Sequence, residues 1–252
     1  MSRNIVFTKE RNFRDLGLNT PIQEKLLLRG ESTYGFNKKD LTILKNDYHL
    51  SKIIDLRTAE EAKEKPDAEM AGVEYIHSSI YNEAQLGITH ESTSMFWKDP
   101  KAILPNMVEL YRRFARAEML DNFSSTMKLI MKHDPTKGSI LFHCTAGKDR
   151  TGIIAYLIYH MFNIDEEHIY EDYLYSNRIA GKKARLLSLF VLPLKGKEIA
   201  DVVYDVYTVK KENLDAYLDE ISKIWGNVDN YLEKGLKISE EEIVQFKKKY
   251  EK

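Results

Sequence analysis

A cysteine and an arginine separated by five residues stand in the run His143-Cys144-Thr145-Ala146-Gly147-Lys148-Asp149-Arg150-Thr151-Gly152. Five intervening residues can curl so that successive backbone N–H groups converge on one point, making an anion nest at the start of a helix. Thr145, Ala146, Gly147, Lys148 and Asp149 would supply those amides. Gly147 lets the backbone turn where a side chain would crowd the anion. Arg150 would fold back and grip two oxygens of a tetrahedral anion with its planar fork. The same field favours a thiolate at Cys144, because beside arginine at a helix N-terminus a cysteine pKa falls from ~8.5 to ~3.5–7.5. The chemistry that follows is attack on a phosphate monoester, with a cysteinyl-phosphate hydrolysed in a second step. Arg150 and the amides would hold charge on the equatorial oxygens, and Thr151 would offer its hydroxyl to the departing sulfur. This chemistry calls for no metal and no cofactor.

A lone cysteine is more often a small buried apolar residue, and Cys-x5-Arg alone arises by chance. Here the spacing is flanked by His143, by Thr151-Gly152 and by patterns for a strand before and a helix after. A nucleotide-binding loop is excluded, because Gly147-Lys148 is followed by Asp149 where Ser or Thr is required.

Those flanking patterns set the fold expectation. After Gly138, the apolar run Ser139-Ile140-Leu141-Phe142 predicts a strand, and Thr151 to Phe162, apolar on nearly all sides, predicts a buried helix. Lys52 to Leu56 reads as a buried strand with Gly72 to Ile76 as its neighbour. Between them Thr58 and Glu61 form a capping box for a short helix stopped by Pro66. Met107, Leu110, Tyr111, Phe114, Leu120, Phe123, Met127 and Ile130 make an amphipathic stripe, with a break near Asp121 and an end at Asp134-Pro135. From Asp165 onward the chain reads as helical, and Ser239 with Glu242 opens the last helix. The expectation is an α/β fold, a central, mostly parallel sheet flanked by helices, with a helical C-terminal third. Ligands of such sheets bind beyond the carboxyl ends of the strands, where Cys144 lies. No low-complexity linker or repeat interrupts residues 1–252, which read as a single domain.

Composition narrows the partners. The 38 basic and 39 acidic residues give no global field toward nucleic acid or an anionic surface, so any preference for phosphate must be local. One cysteine excludes a disulfide framework and a multi-thiolate zinc site. No apolar run reaches the ~18 residues of a membrane span. Met1 to Arg14 lacks the apolar stretch of a signal peptide, so the chain is expected to be cytoplasmic or already processed.

The loop resembles the signature loop of the protein tyrosine phosphatase superfamily, and more narrowly the bacterial branch reading Gly-Lys-Asp-Arg, which includes phosphatases secreted by intracellular pathogens. Similar segments are Asn12-Phe13-Arg14-Asp15-Leu16-Gly17, Asp55-Leu56-Arg57-Thr58 with Glu61, Asp172-Tyr173-Leu174 with Ser176-Asn177, and Trp225 to Leu232. The resemblance runs from about Arg11 to Tyr250. It implies one α/β domain acting on phosphotyrosine proteins, often also phosphoserine or phosphothreonine, and on phosphoinositides, with transient contact at a membrane surface and secretion as the favoured localisation. A soluble inositol-polyphosphate phosphatase and a non-catalytic phosphate-binding relative are the alternatives.

The leaving group needs a proton, so a carboxylic acid should stand near the scissile oxygen. Trp97-Lys98-Asp99-Pro100 imitates the mobile acid loop of the superfamily, although it lies forty-five residues before Cys144. Asp121 falls inside a helical stripe. In the Gly-Lys-Asp-Arg branch the acid is the loop aspartate, here Asp149, whose plainer role would be to pair with Arg57 or a backbone amide. Lys148 would add charge at the pocket, as in phosphatases that handle inositol lipids, or stand as a solvated loop lysine. His143, Asp55 and Arg57 are expected to support the loop, with Arg57 reaching Asp149 or the ligand. Lys182, Lys183 and Arg185 read as a solvated helix face in preference to a lipid-binding patch, and the apolar Leu186 to Leu194 as core in preference to a flap.

Overall fold

The computed structural model describes residues 5–81 and 107–252. Among them, five strands form one sheet in the order β1-β2-β5-β3-β4. They are β1 Phe13–Asp15, β2 Leu27–Glu31, β3 Leu50–Asp55, β4 Glu74–His77 and β5 Ser139–Cys144. Only β1 and β2 pair antiparallel; the other neighbours run parallel. The sheet is therefore the mostly parallel one expected from the pattern.

β5 takes the centre because every one of its six residues is buried, as a strand covered on both faces requires. It pairs Cys144 with Glu31 on one side and His143 with Asp55 on the other. The carboxyl ends of β2, β3 and β5 thus meet where the loop begins. The edge strand β4 is exposed over most of its length.

The described helices are α1 Lys38–Thr42, α2 Ala59–Glu64, α3 Met107–Phe114, α4 Ala117–Lys132, α5 Asp149–Met161, α6 Glu166–Tyr175, α7 Asn177–Tyr207, α8 Lys211–Trp225 and α9 Glu240–Tyr250, besides short turns. Both capping boxes form: Thr58 with Glu61 starts α2, and Ser239 with Glu242 starts α9. α5 is buried nearly all round and joins the main core with α3, α4, α8 and β5. Gly152 lets α6 approach it closely, since a Cβ there would stand 3.1 Å from the Tyr173 ring.

The helical stripe breaks earlier than expected, at Ala115-Arg116, and Arg116 is extended (φ −89°, ψ 164°). Phe114 and Met119 are both fully buried, yet five residues at about 100° each put them some 140° apart on one continuous helix. Two helices let both face the core. The Arg116 guanidinium, paired with Glu109 and Glu220, holds the corner.

A second expectation fails. Leu186, Leu189, Phe190, Leu192 and Leu194 are not core: they are 71%, 58%, 64%, 41% and 57% exposed. α7 turns back on itself at Gly196 (φ 81°), just after Pro193. Leu187 and Val191 of the first limb pack on Ile199 and Val203 of the second. Near this turn the limbs cover each other, and the five exposed apolar side chains face outward.

Candidate active site

The loop from Cys144 to Arg150 joins the end of β5 to the start of α5. No side chain caps α5, so the amides of its first turn face the loop. Gly147 has φ 67°, and a Cβ there would meet the Gly30 carbonyl carbon at 2.4 Å. The glycine is thus needed for close approach to β2, a tighter constraint than the crowding of an anion that the sequence suggested. Asn12 Nδ2 donates to the Ala146 carbonyl at 2.7 Å, and Arg29 donates to the Gly147 carbonyl at 3.0 Å. With its carbonyls held outward, the loop turns its amides inward.

That frame rests on buried charge. Asp172 of α6 receives Arg14 at 2.8 Å and Arg29 at 2.5 Å, and all three side chains are buried. Arg14 also donates to Asn12 at 2.7 Å and to Ser176 at 3.0 Å. Burial pulls Arg14 down to about 10, against the opposing pull of Asp172, which leaves it charged at neutral pH. The similar segments around Asn12-Arg14 and Asp172-Ser176 thus meet behind the loop, a role their spacing alone did not disclose.

Cys144 is buried. Burial pushes its thiol up, but the Arg150 charge and the hydroxyl and amide of Thr151 outweigh it, and the pKa lies below the ordinary cysteine value. The Thr151 hydroxyl has no other protein partner.

Glu61 does what no sequence pattern showed. Its carboxylate grips the Arg150 fork through both oxygens, at 2.7 and 2.9 Å. It also accepts from Thr145 Oγ1 at 2.5 Å, and its Oε2 closes the capping box with the Thr58 amide. Although burial works against it, the Arg150 pair brings Glu61 down to about 2. The Tyr81 ring lies 4.9 Å under the guanidinium, a cation–π contact that further fixes it.

Asp149 does not pair with Arg57. Tyr111, backed by the Tyr173 hydroxyl at 2.8 Å, donates to its Oδ1 at 2.9 Å. Lys148 donates to its Oδ2 at 2.5 Å and reaches toward the Thr208 carbonyl. Lys148 is buried in this arrangement. Asp121, 95% exposed at its side chain, lies 4.0 Å from Lys237 and does not line the site. Trp97, Lys98, Asp99 and Pro100 lie outside the described residues.

Arg57 is buried behind the loop. Its fork is committed to Asp55 at 2.7 Å, to Asp67 at 2.5 Å and to the Lys65 carbonyl at 2.6 Å, which leaves no donor for Asp149 or a ligand. His143, fully buried, stands 3.3 Å from Asp67 and 3.9 Å from Asp55. Asp55, Asp67 and His143 have the types and proximity of metal ligands, but the Arg57 guanidinium already binds both carboxylates.

This cluster makes stability depend on pH. Burial penalises the Asp67 carboxylate, yet His143 and Arg57 hold it well below the usual range. Its contribution is therefore present above the unfolded value of ~3.9 and lost as pH falls through the folded one. Burial also opposes the His143 cation, but Asp67 and Asp55 raise it, so its share is complete below ~6.5 and fades as pH rises through the folded pKa. Asp67→Ala takes the nearest carboxylate from His143 and leaves Arg57 with Asp55 alone as counter-charge, and should cost about 3–5 kcal/mol in urea unfolding at neutral pH. A loss below about 1 kcal/mol would remove the cluster from the stability account.

The cleft over Cys144 has a volume of about 340 Å³. Thr145, Ala146, Lys148, Asp149 and Arg150 line it, as do Asn12, Glu31 and Lys65. α7 closes one wall with Ile179, Ala180, Lys183, Val206 and Tyr207. Of the expected basic cluster, Lys183 therefore belongs to the cleft, while Lys182 pairs on the surface with Glu10.

A protein of Cupriavidus necator that carries a tyrosine-protein phosphatase name is 36% identical over 101 residues, 40% of this chain and 36% of that protein. The tyrosine-protein phosphatase of Nostoc commune is 30% identical over 125 residues, 49% of this chain and 39% of that protein. The chain thus matches little more than a third of the length of these curated relatives. Among solved structures, PTPMT1 in complex with PI(5)P aligns with a TM-score of 0.35 at 12% identity, over 84% of this chain and 96% of that one. The core catalytic domain of SIW14 from S. cerevisiae aligns at 0.34 and 14%, over 72% and 88%. The model that describes the tyrosine phosphatase family matches residues 5–252, and to that family this chain belongs.

Proposed function

We propose that the chain is a cysteine-dependent phosphatase, residues 1–252 acting as one domain, that hydrolyses phosphotyrosine in proteins and the phosphate monoesters of phosphoinositide headgroups. The observation that supports this most is a cysteine with a lowered pKa, set between the central strand and a helix whose first-turn amides no side chain covers.

In the reaction, the Cys144 thiolate attacks phosphorus as the bond to the leaving oxygen breaks, and the Asp149 carboxyl passes a proton to that oxygen. Water then attacks the cysteinyl-phosphate, returns a proton to Asp149 and releases inorganic phosphate and the thiolate. Glu61 presents the Arg150 fork, and Arg150 with the loop amides takes the charge of the three equatorial oxygens. Thr151 steadies the sulfur as it leaves. Asp55 and His143 stand at the ends of β3 and β5, and Asp67 joins them by facing both His143 and the Arg57 that Asp55 binds.

Lys148, Lys183 and Lys65 around one narrow cleft support an anionic headgroup as well as a phosphotyrosine ring. The test is a comparison of initial rates on a phosphotyrosine peptide, a dispersed phosphoinositide and a soluble inositol polyphosphate. The first two should be hydrolysed faster than the third. A preference for the soluble polyphosphate would overturn the substrate assignment, and vanadate binding with no turnover of any substrate would make the chain a phosphate-binding relative.

A further inference from the structure

Five of the large apolar side chains that the molecule exposes fall within nine residues of α7, Leu186 to Leu194. Leu186, Phe190 and Leu194 recur at four-residue steps, with Leu189 beside them, so they share one helix face. The stretch from Arg178 to Lys197 contains Arg178, Lys182, Lys183, Arg185, Lys195 and Lys197 and no acidic residue. Lys182 and Lys183 precede Leu186 by four and three residues, so they extend the same face toward the cleft, where Lys183 is a lining residue.

We propose that the tip of α7 docks on an anionic lipid bilayer, with Leu186, Leu189, Phe190 and Leu194 entering the headgroup boundary and the basic residues meeting lipid phosphates. Charge selects this occupant. Arg178 and Lys182 already pair with Glu10, but a second copy would still set Lys183, Arg185 and Lys197 against their like, and a neutral apolar partner would offer them no counter-charge. No described helix is long and apolar enough to cross a membrane, so the contact is interfacial. Because one helix carries both the apolar tip and a wall of the cleft, docking would hold the cleft close to the lipid surface. Docking stands apart from the phosphatase reading, since the face needs neither Cys144 nor turnover.

Sedimentation with phosphatidylcholine vesicles, with and without phosphatidylserine, tests it. The wild-type chain should sediment only with phosphatidylserine present, and less as salt is raised. Leu189→Ser with Phe190→Ser should lower partitioning roughly a hundredfold, and Arg185→Ala with Lys197→Ala roughly 25-fold. Hydrolysis of p-nitrophenyl phosphate by the Leu189/Phe190 variant should match the wild type, which also verifies its fold. Should that variant misfold, Phe190→Trp serves instead, with fluorescence expected to shift to the blue on phosphatidylserine vesicles. Cys144→Ser should sediment like the wild type.

Equal sedimentation with neutral vesicles, none with anionic ones, or an unmoved tryptophan would overturn the docking. So would a dimer in solution that the Leu189/Phe190 variant dissociates, which would give the face to a second copy. Failed sedimentation by an active enzyme sinks docking alone, and sedimentation without turnover sinks the phosphatase reading alone.

Discussion

Cys144→Ser is expected to lose roughly 10⁴–10⁶-fold in kcat while still binding inorganic phosphate or vanadate. A hydroxyl in the same place has no accessible anionic form at neutral pH, so the field that lowers the Cys144 thiol cannot prepare it for attack. The binding apparatus survives the change. Arg150 stays clamped by both oxygens of Glu61, and the loop carbonyls stay tied to Asn12 and Arg29. Phosphate affinity within a few-fold of wild type, measured by calorimetry, would show that the nest and the nucleophile are separable. A variant that retained a tenth of wild-type kcat would remove Cys144 from the mechanism.

The second large effect belongs to Asp149, and its size should depend on the substrate. Asp149→Asn is expected to slow alkyl phosphates by roughly 10²–10⁴-fold, because an alkoxide cannot depart without a proton. Activated aryl phosphates, whose leaving groups need no proton, should stay within about tenfold of wild type. The structure shows how the group is poised: Tyr111 fixes Oδ1, and the Lys148 ammonium covers Oδ2. A dianionic phosphate in the nest would draw that ammonium away and free Oδ2 to carry the proton. The Asp149 charge also pushes the Cys144 thiol up, so the Asn variant should form its thiolate at lower pH and shift the acid limb of the kcat/KM profile downward. A leaving-group series on Asp149→Asn, Asp99→Asn and the parent decides the matter. A steeper dependence in Asp99→Asn, with a flat response in Asp149→Asn, would assign the acid to Asp99.

What the sequence disclosed depended on how local each feature is. The strand into Cys144, the buried helix after it and both capping boxes are written in runs of a few residues, and each appears where it was read. Glu61 is visible in the sequence as the third residue of a capping box and as part of the family-like segment with Asp55 to Thr58, neither of which shows what it binds. A carboxylate has two oxygens and several lone pairs, and its hold on Arg150, 89 residues away, leaves no trace in a linear pattern. Asp67 and Tyr111 reach His143 and Asp149 through the fold in the same way. Arg57 is ambiguous in the sequence because a basic residue after a strand end is equally able to face a ligand or an internal carboxylate, and in the fold Asp55 and Asp67 claim it. Leu186 to Leu194 misled for another reason. An all-round apolar helix normally means core, and hydropathy cannot tell a helix inside a protein from one whose tip is left for another surface.

The proposed reaction turns on a covalent bond between the Cys144 sulfur and phosphorus. Rapid acid quench during turnover of a phosphotyrosine peptide, followed by mass analysis of the peptide that spans the loop, tests it most directly. A phosphoryl adduct on Cys144 is expected to form within the first turnover, build up when hydrolysis of the intermediate is slowed, and be absent from Cys144→Ser. Steady hydrolysis with an unmodified Cys144 at every quench time, or with the phosphoryl group on another residue, would contradict it.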